Sequence, residues 1–186
     1  GSGDIYLNGV KTILSASRKA ALFLESPEES MLFPELSYLE NLIFTADHKL
    51  PMIWSEKGVE KSVKQELSGI VREEVFSKNI RSLTQRELTE LLYARLILQK
   101  PETMICVSPF KGKDLSMRLL ICELQARLIS LGISVVIITM NLADSLSLAD
   151  RVIQINAGSG LEEFKRDETG AFPDDVPWSR AFKGKH

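Results

Sequence analysis

Residues Ser82–Phe110, "SLTQRELTELLYARLILQKPETMICVSPF", decide how the rest of the chain is read. "SLTQRE" has the look of a helix start with charge in its first turn, and Leu88–Leu98 forms the body of the helix. Thr103–Ser108, "TMICVS", is a continuous apolar run bounded by polar residues and a proline, which predicts a buried strand. The alternation repeats downstream. "DLSMRLLICELQARLISLG" (114–132) predicts a long helix stopping near Gly132, and "ISVVIIT" (133–139) a second apolar strand. "NLADSLSLA" (141–149) predicts a short helix capped by Asn141, and "RVIQIN" (151–156) a third strand ending at Ala157-Gly158. Strands of this kind separated by helices imply a parallel sheet buried on both faces.

Upstream, "DIYLN" (4–8) alternates like a strand and meets Gly9, and "AALFLE" (20–25) is another strand candidate, broken by "SPEES". Within "LFPELSYLENLIF" (32–44), Ser37 and Glu40 have the spacing of a capping box. Residues 49–57 read as a loop. From Val59 to Phe76, Val59, Val63, Leu67, Ile70, Val71 and Val75 recur at helical spacing, and Glu60 and Lys64 pair at i,i+4 on the other face. Residues 159–186 read as a polar, loosely structured tail.

The 186 residues are 44% hydrophobic and 26% charged, ordinary values for a globular chain with one sizeable core. A net charge of −2 offers no basic face for nucleic acid. No run of about 18 apolar residues predicts a membrane span, and the N-terminus lacks a basic-then-apolar leader pattern. Cys106 and Cys122 fall in apolar settings and are expected to be reduced core thiols. Neither His48 nor His186 stands at metal-ligand spacing from them, so no metal site is expected.

The order and spacing of "GDIYLNG", "LFPELSYLENL", "LTQRE…YARLILQKP", "MICVSPFKGKD", "LGISVVIIT" and "LADRVIQINAG" resemble the ATPase (nucleotide-binding) domain of ABC transporters. "SPFKGKD" and "NLADSLSLADRVIQI" look most like the second cassette of sugar importers. The resemblance implies an α/β fold with a mostly parallel sheet, flanking helices and a small helical lobe. The implied domain covers 1–158, with the lobe at about 35–93 and the tail at 159–186.

In that family ATP and Mg²⁺ are bound, and each working position can be compared. The signature loop aligns with Leu83, Thr84, Gln85, Arg86 and Glu87. Thr84 would replace the serine that meets the γ-phosphate, while Gln85 and Arg86 put side chains where glycines let backbone approach phosphate. Arg86 is either a phosphate partner or a solvated charge in a helix first turn, the second being better supported. The metal-holding aspartate corresponds to Val107 and the water-polarising glutamate to Ser108, neither able to do that work. The switch histidine corresponds to Met140. Glu28 or Glu29 would stand for the glutamine of the Q-loop. Asp114 matches the D-loop aspartate that touches a partner domain, and is equally a helix N-cap. A phosphate loop, G-x-x-x-x-G-K-[ST], is absent from the sequence. The expectation is that the chain starts after that loop, as a portion of a longer protein or as a product that never had it.

These substitutions imply a degenerate, non-hydrolysing domain with no cofactor of its own. It would act through contacts with another ATPase-like domain or a second copy of itself, and with a membrane permease at the inner face of the cell membrane, without inserting in the bilayer. Two alternatives stand beside this reading. One is an ATP-hydrolysing subunit of a sugar transporter, completed by upstream sequence or by a partner. The other is a regulatory scaffold unrelated to transport.

Overall fold

The computed structural model describes residues 5–7, 9–12, 19–25, 27–46, 56–156, 160–173 and 176. It divides into two units, Gly1–Asp144 and Ser145–His186.

In the first unit, β1 (Ile5–Leu7) and β2 (Val10–Thr12) form an antiparallel hairpin turning at Gly9. The φ of +76° at Gly9 suits a residue without a Cβ. The expected strand at 4–8 is therefore present, its end residues Asp4 and Asn8 lying outside the described residues. The central sheet has the order β3 (Ala20–Phe23), β4 (Thr103–Val107), β5 (Ser134–Ile138), all parallel. Short α1 (Pro27–Met31) opens on a proline at its first helical position, where no N–H is needed. "SPEES" thus ends a strand and also begins a helix. α2 (Tyr38–Ala46) begins at the Ser37/Glu40 capping box, in which the Ser37 N–H donates to Glu40 Oε2 at 2.7 Å.

α3 covers only Glu56–Glu66. The periodic run to Phe76 is not one helix: Gly69, at φ +79°, turns the chain, and a 3₁₀ turn follows at Glu73–Val75. The apolar periodicity survives because Val71 and Val75 remain buried in the same core as Val59, Val63 and Leu67. Burial, not helical continuity, set the spacing. Most of the expected loop at 49–57 lies outside the described residues. α4 (Gln85–Gln99) and α5 (Leu115–Ser130) are the long helices expected, and Gly132 at φ +83° terminates the second.

One core cluster runs from α2 and α3 through α4 to the sheet. Tyr38 meets Phe76 edge-to-face at 5.6 Å, and Phe23 of β3 meets Tyr93 of α4 likewise at 5.6 Å. Phe23, Met104 and Cys106 point into this core, joined by half-buried Val135 and Ile137. The opposite face is not buried as expected. Leu22, Val136 and Ile138 are exposed there, with Ile105 and Val107 half-buried between them. The continuous apolar runs are genuine, but among the described residues of this unit only one face of the sheet is covered.

The expected helix at 141–149 is a run of turns. Asn141 accepts the Ala143 N–H at 3.1 Å, closing a local turn, and a segment rich in Asp and Ser competes poorly as a helix.

In the second unit, β6 (Arg151–Asn156) pairs antiparallel with β7 (Gly160–Lys165). The parallel placement expected for 151–156 is overturned. Its pattern is polar at Arg151, Gln154 and Asn156, and the following segment supplies a local partner. The tail read as loosely structured therefore contains a strand. Beyond it, Arg166 donates to the Ala149, Leu146 and Gly170 carbonyls and lies over the Phe172 ring.

Candidate functional site

The stretch that the resemblance aligns with a signature loop, Leu83–Glu87, sits at the N-terminus of α4. Thr84, in extended conformation, is the N-cap. Its hydroxyl accepts the Glu87 N–H at 3.2 Å, while Glu87 Oε2 accepts the Thr84 N–H at 2.8 Å, completing a capping box. Glu87 is almost wholly buried and receives Lys78 Nζ at 2.7 Å and Arg72 Nη2 at 3.3 Å. These bonds hold its carboxyl down at about 2; the Lys78 hydrogen bond is the largest cause, followed by that from the Thr84 backbone. Arg86 Nε reaches one turn further along the helix to Glu90 at 2.9 Å, and Gln85 Nε2 donates to Glu28 Oε1 at 2.9 Å. Each polar side chain from Thr84 to Glu87 therefore has a partner within the protein.

β4 carries the frame's next two positions. Val107 is a half-buried residue of the uncovered sheet face, opposite Ile138 in the register. Ser108 follows at φ +48°, a left-handed conformation uncommon for serine, fixed by its N–H donating to the Ile138 carbonyl at 2.8 Å. Met140, after β5, is fully exposed. No carboxylate or imidazole stands at any of these three positions, so the residues present do not fit a Mg²⁺-ATP centre of the kind the resemblance implies.

Asp114 is the N-cap of α5, accepting the Met117 N–H at 2.8 Å. Glu28, in α1, faces Gln85, Thr89 and Lys113; Glu29 lies in the same helix, but its side chain is outside the described residues. The structure thus brings Glu28 to the signature helix and leaves Met140 apart in solvent. Sequence reasoning missed Lys113 and the Lys78–Glu87–Arg72 cluster. The Thr84/Glu87 spacing of a capping box was available to find Glu87; nothing local marked Lys113 or Lys78. Among the described residues no cluster of His, Cys, Asp or Glu has the form of a metal site.

No protein-family model matches the chain. A putative ribose/galactose/methyl galactoside import ATP-binding protein of Halalkalibacterium halodurans is 26% identical over 175 residues, covering 90% of this chain and 34% of that protein. The spermidine/putrescine import ATP-binding protein PotA of Fusobacterium nucleatum is 28% identical over 162 residues, covering 87% of this chain and 42% of its own. The chain is a homologue of ABC-transporter ATP-binding proteins. It spans well under half the length of these two curated relatives. The structure of cbiO1 from Clostridium perfringens, part of the ABC transporter complex cbiONQ, superposes with a TM-score of 0.63 at 19% identity, over 82% of this chain and 61% of that one. The fold is therefore that of an ABC ATPase: a parallel sheet with helices, as the order of motifs implied. No helix among the described residues is long and apolar enough to cross a membrane.

Proposed function

We propose that this chain is a non-hydrolysing ABC-type domain that works through protein contacts, in or derived from a sugar importer. The observation that carries the reading is the engagement of the signature frame. Thr84 and Glu87 are closed in a capping box, Gln85 is bonded to Glu28, and Arg86 to Glu90. With Val107, Ser108 and Met140 at the remaining positions, no side chain there supplies a metal ligand or a base.

Three apolar surfaces among the described residues are available for contacts. One is the open sheet face with Leu22, Val136 and Ile138, and another is the α5 flank, where Leu115 and Leu119 are exposed beside Arg86 and Glu123. On the helical side, Phe33 and Phe44 form an exposed edge-to-face pair at 4.7 Å that would meet an apolar segment of a permease. Such contacts would hold the domain at the cytoplasmic face of a membrane.

A second reading, an ATP-binding subunit that hydrolyses ATP once completed, is favoured by the similarity to two import ATP-binding proteins. Calorimetry of the chain with Mg²⁺ and ATP tests the first reading, whereas the second is tested by ATP turnover of the completed subunit. The expected result is no binding tighter than about millimolar, equivalent to about 4 kcal/mol. Micromolar binding by this chain alone would overturn the proposal.

A further inference from the structure

The apolar anchoring of the short helix α1 comes from its C-terminal end, where half-buried Met31 packs against the core. None of its described residues is buried, and the first buried side chain after it is Leu32. Its C-terminal end is fixed separately, because the Arg95 guanidinium donates to the Met31 carbonyl. Among the described residues, the polar contacts of the remainder converge on one carboxylate. Glu28 Oε1 accepts from Gln85 Nε2 at 2.9 Å, Thr89 Oγ1 at 3.3 Å and Lys113 Nζ at 3.1 Å. The Glu28 and Lys113 side chains are only 10% and 18% exposed, so this pair is shielded from solvent. A neighbouring pair, Lys111–Glu25 at 2.9 Å, spans the same two segments but is open to solvent at both ends.

We propose that the Glu28–Lys113 pair is a clasp that locks α1 against the first turn of α4 and the β4–α5 loop, and that α1 opens as a local unit when the pair is broken. Three segments far apart in sequence meet at one oxygen atom. A shielded pair of this kind outweighs the exposed one, since removing either partner strands a charge where water reaches it poorly. The inference deepens the proposed function: a frame whose side chains are internally bonded is held in one arrangement by an ion pair, and so presents a fixed surface to its partner. It rests on that reading for its purpose only. The clasp itself is tested on the isolated chain, whether or not ATP binds.

The test is limited proteolysis of the full chain by a protease of broad specificity, with cleavage sites mapped by mass spectrometry. Glu28→Gln, Lys113→Met and the double variant are compared with Lys111→Met. Gln at position 28 keeps an acceptor for Gln85 and Thr89, so the fold is retained. Either single substitution is expected to raise cleavage within residues 27–34 about tenfold, the scale of one shielded ion pair. The double variant should add little to either single one, because both remove the same interaction. Lys111→Met should change cleavage by less than about twofold. Unchanged cleavage in that segment overturns the proposal. So does additivity of the two substitutions, or an equal rise at sites throughout α4 and α5, which would make Glu28 a contributor to global stability only.

Discussion

Replacing Glu87 by glutamine should cost this protein stability at neutral pH and nothing at strongly acidic pH. Glu87 has an ordinary pKa of 4.5 and a folded-state value of about 2. Each tenfold change in proton affinity is worth about 1.4 kcal/mol, so the fall of about 2.5 corresponds to roughly 3 kcal/mol. The carboxylate is 2% exposed, but its partners Lys78 and Arg72 are 37% and 65% exposed. Solvent screening at those ends brings the expectation to about 2 kcal/mol. The sign follows from the direction: the folded-state value lies below the unfolded one, so the contribution is complete above about pH 4.5 and lost as the pH falls through about 2.

Urea denaturation of wild type and Glu87→Gln across that range is the assay. The curves should be separated by about 2 kcal/mol at pH 7 and converge at low pH. Thr84→Ala removes a hydroxyl that accepts the Glu87 N–H and also donates to Glu87 Oε2 at 3.0 Å; it should cost about 1 kcal/mol and weaken the pH dependence only slightly, because the Lys78 and Thr84 backbone bonds remain. Parallel stability–pH profiles for wild type and Glu87→Gln, or a wild type that gains stability below pH 3, would refute the assignment of Glu87 as a charged, lysine-bonded structural residue.

Other outcomes are expected. Asp114→Ala should lower stability by about 1 kcal/mol through loss of the α5 N-cap, as read in thermal melts. Cys122 should react with a thiol reagent in the native protein, while Cys106, whose thiol burial pushes up to about 12, should react only on unfolding; quantitative labelling distinguishes them. Val136→Lys with Ile138→Lys, on the uncovered sheet face, should reduce any self-association seen by sedimentation while changing monomer stability by less than about 1 kcal/mol.

The parallel sheet and its two long helices were legible because their signals are local. Thr103–Val107 and Ser134–Ile138 are unbroken apolar runs, and Ser37 and Asp114 mark helix starts by their own side chains. Failures came where burial and secondary structure have different causes. Val71 and Val75 kept helical spacing although the helix had ended at Glu66, because a turn through Gly69 delivers them to the same core. Arg151–Asn156 resembled a sheet strand, but its pairing depended on Gly160–Lys165, a segment too polar to announce a strand. Exposure of Leu22 and Ile138 was illegible for a similar reason: an apolar run reports that a strand favours burial, not that a cover is present on both sides.

The site was legible as a set of positions and illegible as a set of bonds. Alignment named Thr84, Arg86, Val107, Ser108 and Met140, but it did not reveal what the polar ones do instead. Gln85 and Arg86 are not idle: Gln85 reaches Glu28 across 57 positions of sequence, and Arg86 reaches one turn on to Glu90. Such partners cannot be read from spacing, because a hydrogen bond between distant segments leaves no local period. They also bear on what reversion could achieve. Val107→Asp with Ser108→Glu would add two carboxylates at the end of β4, yet the α4 N-terminus would still be occupied by its own capping box and by Glu28. On the proposed non-hydrolysing reading, Val107→Asp with Ser108→Glu should leave ATPase activity at background, because the bonds of Thr84, Gln85 and Arg86 would still be closed.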